Sequence, residues 1–377
     1  MRADTKVSIF YGPLSWFEEK LGSSAQVYLP DAVSQLDERR RRIRHVVDGH
    51  DSQAEELPAP HIKRLVAMSS DYASLNEHAL TNFIGLVREI NPERLFLHNP
   101  PALIEAQLER ALDTKVRTYE YPLLTHEALI QFRDGFADHI VGQEAVRDRM
   151  LAALYPLSTS RRTTPVVLMF FGPSGVGKTE TAQFVNGFSG GQLFRKQFSM
   201  YHSDKFASYI FGGAHSEASF ARDLLERRSG VILIDEFDKA ASVFHSAFYE
   251  FFDEGVFEDK NYRARLGPAL IICTSNYGSE EEIRSSLGDA LYSRFDALIQ
   301  FAPLSADEIK VVVGRLVDSR FESLTNDEAS LLDATEIKEL MNARATGVGN
   351  VRKLGKLVNE VISLLLVRAV LSAEDTR

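Results

Sequence analysis

The sequence predicts an α/β protein in three parts. These are a doubly wound parallel sheet in the first third, a second parallel sheet with flanking helices built around a phosphate-binding loop, and a helical C-terminal segment. Three observations predict this. Strand and helix signals alternate through residues 1–122, as in βαβ units. The apolar run Val166-Val-Leu-Met-Phe-Phe171, typical of a strand buried on both faces, leads into Gly172-Pro-Ser-Gly-Val-Gly177-Lys178-Thr179. After Ser305 the strand signals stop and capped helical segments follow.

The N-terminal elements come first. Lys6–Tyr11 reads as a strand, Ala25–Leu29 as a short second one, and His61–Ser69 as a third. Ser74-Leu-Asn-Glu77 has the form of a capping box opening an amphipathic helix over Leu75–Ile90. Arg94–His98 is a strand, Ala102–Leu112 a helix and Lys115–Tyr121 a strand. No G-x-G-x-x-G accompanies them. Ligands of such sheets bind outside the carboxyl ends of the strands, here Tyr11-Gly12, Ser69-Ser-Asp71 and His98-Asn99. Turn and capping chemistry is the stronger explanation of these residues, and a domain for partner recognition is the preferred reading of 1–122. Residues 123–137 read as a helical connector starting at Thr125.

The glycine loop fits G-x-x-x-x-G-K-[ST], a pattern expected by chance only about 0.01 times in a chain this long. Its glycines let Pro173, Ser174, Gly175, Val176 and Gly177 turn backbone N–H groups toward phosphate oxygens at a helix N-terminus. Lys178 would reach the β- and γ-phosphates of ATP, and the Thr179 hydroxyl would hold Mg²⁺. A second apolar strand, Val231-Ile-Leu-Ile, ends in Asp235-Glu236. Asp235 is expected beside the Mg²⁺, and Glu236 is placed to polarise the attacking water. A third strand, Ala269–Thr274, ends in Ser275-Asn276, whose amide could bond the γ-phosphate or the water. The core is expected to run over 138–303. Ser305-Ala-Asp-Glu308 is a capping box opening a helical lid over 304–377, with further helices at Lys338–Ala343 and Val351–Leu371 after the turn Gly347-Val-Gly349.

Taken together, these strings resemble AAA+ ATPases of the Clp type, above all the second ATPase domain of the double-ring unfoldases. The matching strings are His139-Ile-Val-Gly-Gln143, GPSGVGKTE, VILIDEFDKA, CTSNYGS, Tyr292-Ser-Arg294-Phe-Asp296 and Gly349-Asn-Val-Arg352-Lys-Leu354, and they cover nearly two-thirds of the chain. The resemblance implies that Ile140, Val141 and Gly142 line an adenine pocket and that Asn276 is sensor 1. It implies that Arg294 is an arginine finger serving a neighbouring subunit, and that Arg352 in the lid is sensor 2. The competing readings are a surface ion pair of Arg294 with Asp296 or Glu308, and a solvated basic face for Arg352. Further implications are a homo-oligomer, either a ring such as a hexamer or a filament, and a protein substrate or companion.

One departure stands out. Clp unfoldases carry an aromatic between glycines in a pore loop ahead of the Asp-Glu strand. The equivalent stretch here, Tyr209–Phe220, is shorter and lacks it, with Phe211 and Phe220 expected to pack as core. Tyr262, in Gly255–Arg265, is the remaining candidate for contacting a threaded chain, or else a hairpin tip.

Composition bounds the rest. The chain has 377 residues and a net charge of −10, which gives no overall attraction for nucleic acid. The run Arg39-Arg-Arg-Arg42-Ile-Arg44 reads first as a solvated helix face, and second as a contact for an acidic partner or for nucleic acid, the one feature that speaks for a nucleic-acid-acting motor. No apolar stretch reaches membrane-spanning length, the start lacks an apolar signal core, and the single cysteine, Cys273, falls in a buried strand. A cytoplasmic protein is expected.

Overall fold

The computed structural model describes residues 5–47, 62–122, 124–159, 161–200, 203–344 and 349–374. The side chains of Arg42 and Arg44, together with His61 and Gly347, lie outside the described residues. The strands are β1 (Lys6–Tyr11), β2 (Val27–Tyr28), β3 (Arg64–Ala67), β4 (Arg94–His98), β5 (Thr114–Thr118), β6 (Val166–Phe171), β7 (Phe194–Gln197), β8 (Val231–Asp235), β9 (Val256–Glu258), β10 (Arg263–Arg265), β11 (Leu270–Thr274) and β12 (Ala297–Gln300). By compactness the chain divides into two units. The first is 1–122 with 200–230 and 246–267, and the second is 123–199 with 231–245 and 268–377.

The first unit holds a wholly parallel sheet, β2-β3-β4-β1-β5. Alternation along its strands buries both faces. Val7, Ile9, Leu65, Leu95 and Leu97 pack with Phe83, Val87, Ile104 and Leu108 on one side. Phe10 and Val66 pack with Phe17 and Leu21 on the other. The helix expected over Leu75–Ile90 is two helices, Glu77–Thr81 and Phe83–Ile90, because Asn82 leaves helical geometry at φ −122°, ψ 46°. Its cap is also not Ser74. Asn76 accepts from the Ala79 N–H at 2.8 Å, while the Ser74 hydroxyl donates to Asp71 O. The basic run lies on a helix, Leu29–Val47, where Arg40 pairs with Glu89 at 2.6 Å, which favours the solvated-face reading.

By compactness this unit takes in residues 200–230 and 246–267 beside the 1–122 read from the sequence. An aromatic cluster holds 200–230 and 246–267 to each other, with Phe220 packing edge-on against Phe248, Phe251 and Phe257. Hydrogen bonds tie them to 1–122. The Ala102 N–H donates to Asn261 O at 2.9 Å, and His215 Nε2 lies 2.7 Å from Leu75 O. The antiparallel β9–β10 hairpin is closed by Asp259, whose Oδ1 accepts from the N–H groups of Asn261 and Tyr262. Tyr262 is only 1% exposed, so it is neither a hairpin tip in solvent nor a surface grip. Phe220 is core as expected, whereas Phe211 is 47% exposed, contrary to expectation.

The second unit is a five-stranded parallel sheet, β12-β6-β11-β8-β7. Every residue of β6, β8 and β11 is buried, as their unbroken apolar runs require. Thr125 caps the helix His126–His139, accepting from Ala128 N–H. The capping box at Ser305 and Glu308 is formed. It opens Ala306–Glu322, which with Ala334–Arg344 and Val351–Glu374 encloses a core of Val313, Val317, Met341, Leu354 and Ile362. A short helix, Asn326–Ser330, was not read from the sequence. Among the described residues no helix is long and apolar enough to cross a membrane.

Burial assigns Tyr262 a packing role. Tyr262→Ala should cost about 3 kcal/mol or more of stability in urea unfolding, as removal of a buried aromatic does. Tyr262→Phe, which deletes a buried hydroxyl without a partner, should stay within about 1 kcal/mol of the parent. An Ala variant as stable as the parent would contradict the packing role.

Candidate active site

The glycine loop joins β6 to the helix Lys178–Gly187, whose N-cap Gly177 has φ 105°, a conformation closed to side-chain-bearing residues. Gly175, at φ 79°, also lies against Asn350, so that a Cβ there would collide with the amide. The loop therefore needs glycine both for its turn and for its contact with the lid. Lys178 Nζ donates to the carbonyls of Gly172 and Pro173, both at 2.7 Å, and to Asn276 Oδ1 at 3.3 Å. Burial holds the ammonium at a pKa of about 8, with Asp238 and Asp235 pulling up and Arg352 pushing down.

The parallel order puts the ends of β11, β8 and β7 side by side next to this loop. Asp235 ends β8. Its Oδ1 accepts from the Thr274 hydroxyl at 2.5 Å, and its Oδ2 from Arg195 Nη2 and Nε at 2.5 and 3.1 Å. Glu236 follows in a left-handed conformation, φ 58°, ψ 46°, a strained geometry for a side-chain-bearing residue. Its N–H donates to the same Thr274 hydroxyl at 3.0 Å, and its Oε2 accepts from Gln197 Nε2 at 3.0 Å. One threonine thus sets the register of both carboxylates.

These groups face a cavity of about 740 Å³. Its lining takes in Ile140, Val141, Ser174, Gly175, Val176, Gly177, Lys178, Thr179, Asp235, Glu236, Asn276 and Arg352, all expected from the sequence. Two expected residues do not line it. Pro173 contributes its carbonyl to Lys178, and Gly142, at φ 67°, abuts Glu308. Arg294 also lies outside. It follows the helix Glu280–Tyr292 and donates to Ala290 O. Asp296 takes a two-pronged bond from Arg162, 2.8 Å in each arm, and Glu308 accepts from Ser305 N–H.

Sequence reasoning missed Arg195, Gln197, Thr274 and the lid residues Val312, Arg315 and Leu316, all of which line the cavity. Arg195 and Gln197 lie two apart on β7, so one pleat face points both at the carboxylates, and that spacing was readable. Arg315, which donates to the carbonyls of Asp138 and Ala137, gave no signal. The lid is tied to the loop directly. The Val351 N–H donates to Gly175 O at 3.0 Å, and Asn350 Nδ2 to Ser174 O at 2.9 Å.

Among the described residues no three His, Cys, Asp or Glu side chains converge as a metal site. Two hard oxygen groups, the Thr179 hydroxyl and the Asp235 carboxylate, do line the same cavity. That donor set suits an ion that keeps most of its water, as Mg²⁺ does.

Residues 164–342 match the family described as AAA domain (Cdc48 subfamily). Chaperone protein ClpB of Chlamydia muridarum is 27% identical over 302 residues, covering 66% of this chain and 33% of ClpB. The Clp protease ATP-binding subunit ClpE of Lactococcus lactis is 24% identical over 351 residues, covering 83% and 47%. The chain therefore spans about a third of the ClpB relatives' length. Among solved structures, the S. cerevisiae Hsp104–ADP complex has a TM-score of 0.51 at 20% identity, over 65% of this chain and 49% of that one. A closed-state reconstruction of Hsp104 with ATPγS and FITC casein has a TM-score of 0.58 at 16% identity, over 92% and 66%. Residues 164–342 therefore carry an AAA domain, and in motifs, strand order and relatives the chain resembles the Clp-type AAA+ ATPases.

Proposed function

We propose that the chain works as a homo-oligomer, a ring or a filament, that uses ATP turnover to remodel or regulate a protein partner. The observation that carries this is the direct bonding of lid to phosphate loop through Val351, Asn350, Gly175 and Ser174, with Arg352 in the same cavity. A change of charge at the γ-phosphate position is then felt at once by the helix Val351–Glu374, and ATP hydrolysis becomes lid movement. The ClpB, ClpE and Hsp104 likenesses support a protein partner.

In this reading Lys178 exchanges its carbonyl partners for phosphate oxygens. Ile140, Val141, Val312 and Leu316 offer apolar surface to the base. Thr179 and Asp235 would hold Mg²⁺, which supplies charge neutralisation between the phosphates. Glu236 polarises the attacking water once it leaves Gln197, while Asn276 and Arg352 address the γ-phosphate. Arg294, outside its own chain's cavity, contributes in the cavity of a neighbouring copy.

A second reading, an ATP-controlled assembly switch or scaffold, is favoured by the burial of Tyr262, which leaves no exposed aromatic on that hairpin for gripping a chain.

Glu236→Gln should bind ATP as the parent does, with turnover reduced at least about 100-fold. Arg294→Ala should likewise bind ATP and lose turnover, and mixing the two variants should restore part of it. Additive, unrescued rates in the mixture would sink catalysis across an interface. The measurement is steady-state phosphate release, with fluorescent-nucleotide titration for binding.

Lys178 sets a pH dependence. Burial lowers its pKa to about 8 in the free protein, and bound phosphate, favouring the ammonium, raises it. The complex therefore holds more protons than the free protein above pH 8. Affinity should be flat below that pH and weaken by up to about tenfold per unit above it. Lys178→Arg, always charged, should abolish the slope. An unchanged slope in that variant would assign the titration elsewhere.

A further inference from the structure

Open parallel sheets expose a crevice at the carboxyl ends of their strands, and ligands settle there. In the first unit that edge is taken by the chain itself. Asn99, held at φ 44° after β4, clasps Gly12 after β1. Its Oδ1 accepts from Gly12 N–H at 3.0 Å, and its Nδ2 donates to Gly12 O at 3.1 Å. The same Nδ2 reaches Leu225 O at 3.4 Å, the last carbonyl of the helix Phe220–Leu225. Beyond β3, the Ser69 hydroxyl donates to Glu226 Oε1 at 2.7 Å, and Ser69 O accepts from Arg222 Nη2 at 3.2 Å. After β5, the Tyr121 hydroxyl donates to Arg227 O at 2.8 Å, and the Arg227 guanidinium lies 4.0 Å over the Tyr121 ring. Three strand ends, those of β3, β4 and β5, therefore bond one helical turn, and the end of β1 braces Asn99.

The grip is polar and incompletely satisfied. Within the same unit Tyr72 Oη, His98 Nδ1, Arg227 Nε, Asp259 Oδ2 and Tyr262 Oη are buried without hydrogen-bond partners. Each such atom disfavours the closed arrangement relative to a hydrated one. Residues 226–230 connect the gripped turn to Val231, the first residue of the strand that ends in Asp235 and Glu236.

We propose that the carboxyl-edge crevice of the N-terminal sheet is a receptor for the chain's own helix Phe220–Leu225, forming a latch that opens and closes with the nucleotide cycle. The latch rests on the ATPase assignment and does not depend on what the partner is. It makes the N-terminal sheet an input to the catalytic strand. Anything that occupies the crevice in place of the helix alters hydrolysis, and ATP reciprocally alters access to the crevice.

The test closes the latch covalently. Ser69→Cys and Glu226→Cys, both exposed, are joined by a short bismaleimide. The one native cysteine, Cys273, is buried and does not compete. The bridged protein should turn over ATP at least about fivefold more slowly than the unbridged double variant, with fluorescent ATP affinity within about twofold. Hydrogen exchange of residues 96–99 and 220–230 in Glu236→Gln should also differ at least about threefold between ATP-loaded and nucleotide-free protein, while β1 and β4 interiors keep their protection. A bridged protein as fast as the unbridged one, or exchange indifferent to ATP, would show a static bracket and overturn the latch. No turnover in the unbridged protein would count against the ATPase assignment instead, and the exchange comparison would still decide the latch.

Discussion

The ammonium of Lys178 is 8% exposed, and a buried cation must be surrounded by acceptors and negative charge or it loses its proton. The second unit meets that demand at the ends of its strands. The loop after β6 supplies the carbonyls of Gly172 and Pro173, and the turn after β11 supplies Asn276. Beyond them, Asp235 and Asp238 provide the field. Only an order that places β6, β11 and β8 side by side delivers these groups to one point. Burial nonetheless lowers the lysine's pKa to about 8, and in the proposed reading a bound polyphosphate restores the preference for the ammonium. Sheet topology, loop conformation and ligand charge are three aspects of that one constraint.

The carboxylates show the same logic one layer out. Asp235 and Glu236 are adjacent in sequence, yet they must do different work. The backbone separates them by turning left-handed at Glu236, and Thr274 fixes the result by bonding to both. Arg195 and Gln197 then take one carboxylate each. A strand end, a strained residue and one hydroxyl convert a dipeptide into two distinct functional groups.

What was legible in the sequence follows from this. Elements that bury both faces, β6, β8 and β11, read directly because burial demands unbroken apolar runs. The loop read because close backbone approach demands glycine. Arg195, Gln197 and Thr274 were not read as site residues. They act by position in neighbouring strands, and a parallel sheet brings together residues tens of positions apart with no local signature. The break at Asn82 and the cap at Asn76 escaped for a different reason. Ser74-Leu-Asn-Glu77 offers two competing side-chain caps, and tertiary packing, not local propensity, chose between them.

The segments 200–230 and 246–267 were the hardest to place, because sequence order sets them between strands of the second sheet while their side chains belong elsewhere. Phe220, Phe248, Phe251 and Phe257 form a cluster with no periodic signal, and Tyr262 looks like a loop aromatic until its burial is seen. Within Tyr209–Phe220, His215 Nε2 meets Leu75 O and Gly213 O accepts from Asn261 Nδ2. In the proposed latch, one insertion serves both as the element bound at the edge of the N-terminal sheet and as the lead-in to the strand that ends in Asp235 and Glu236.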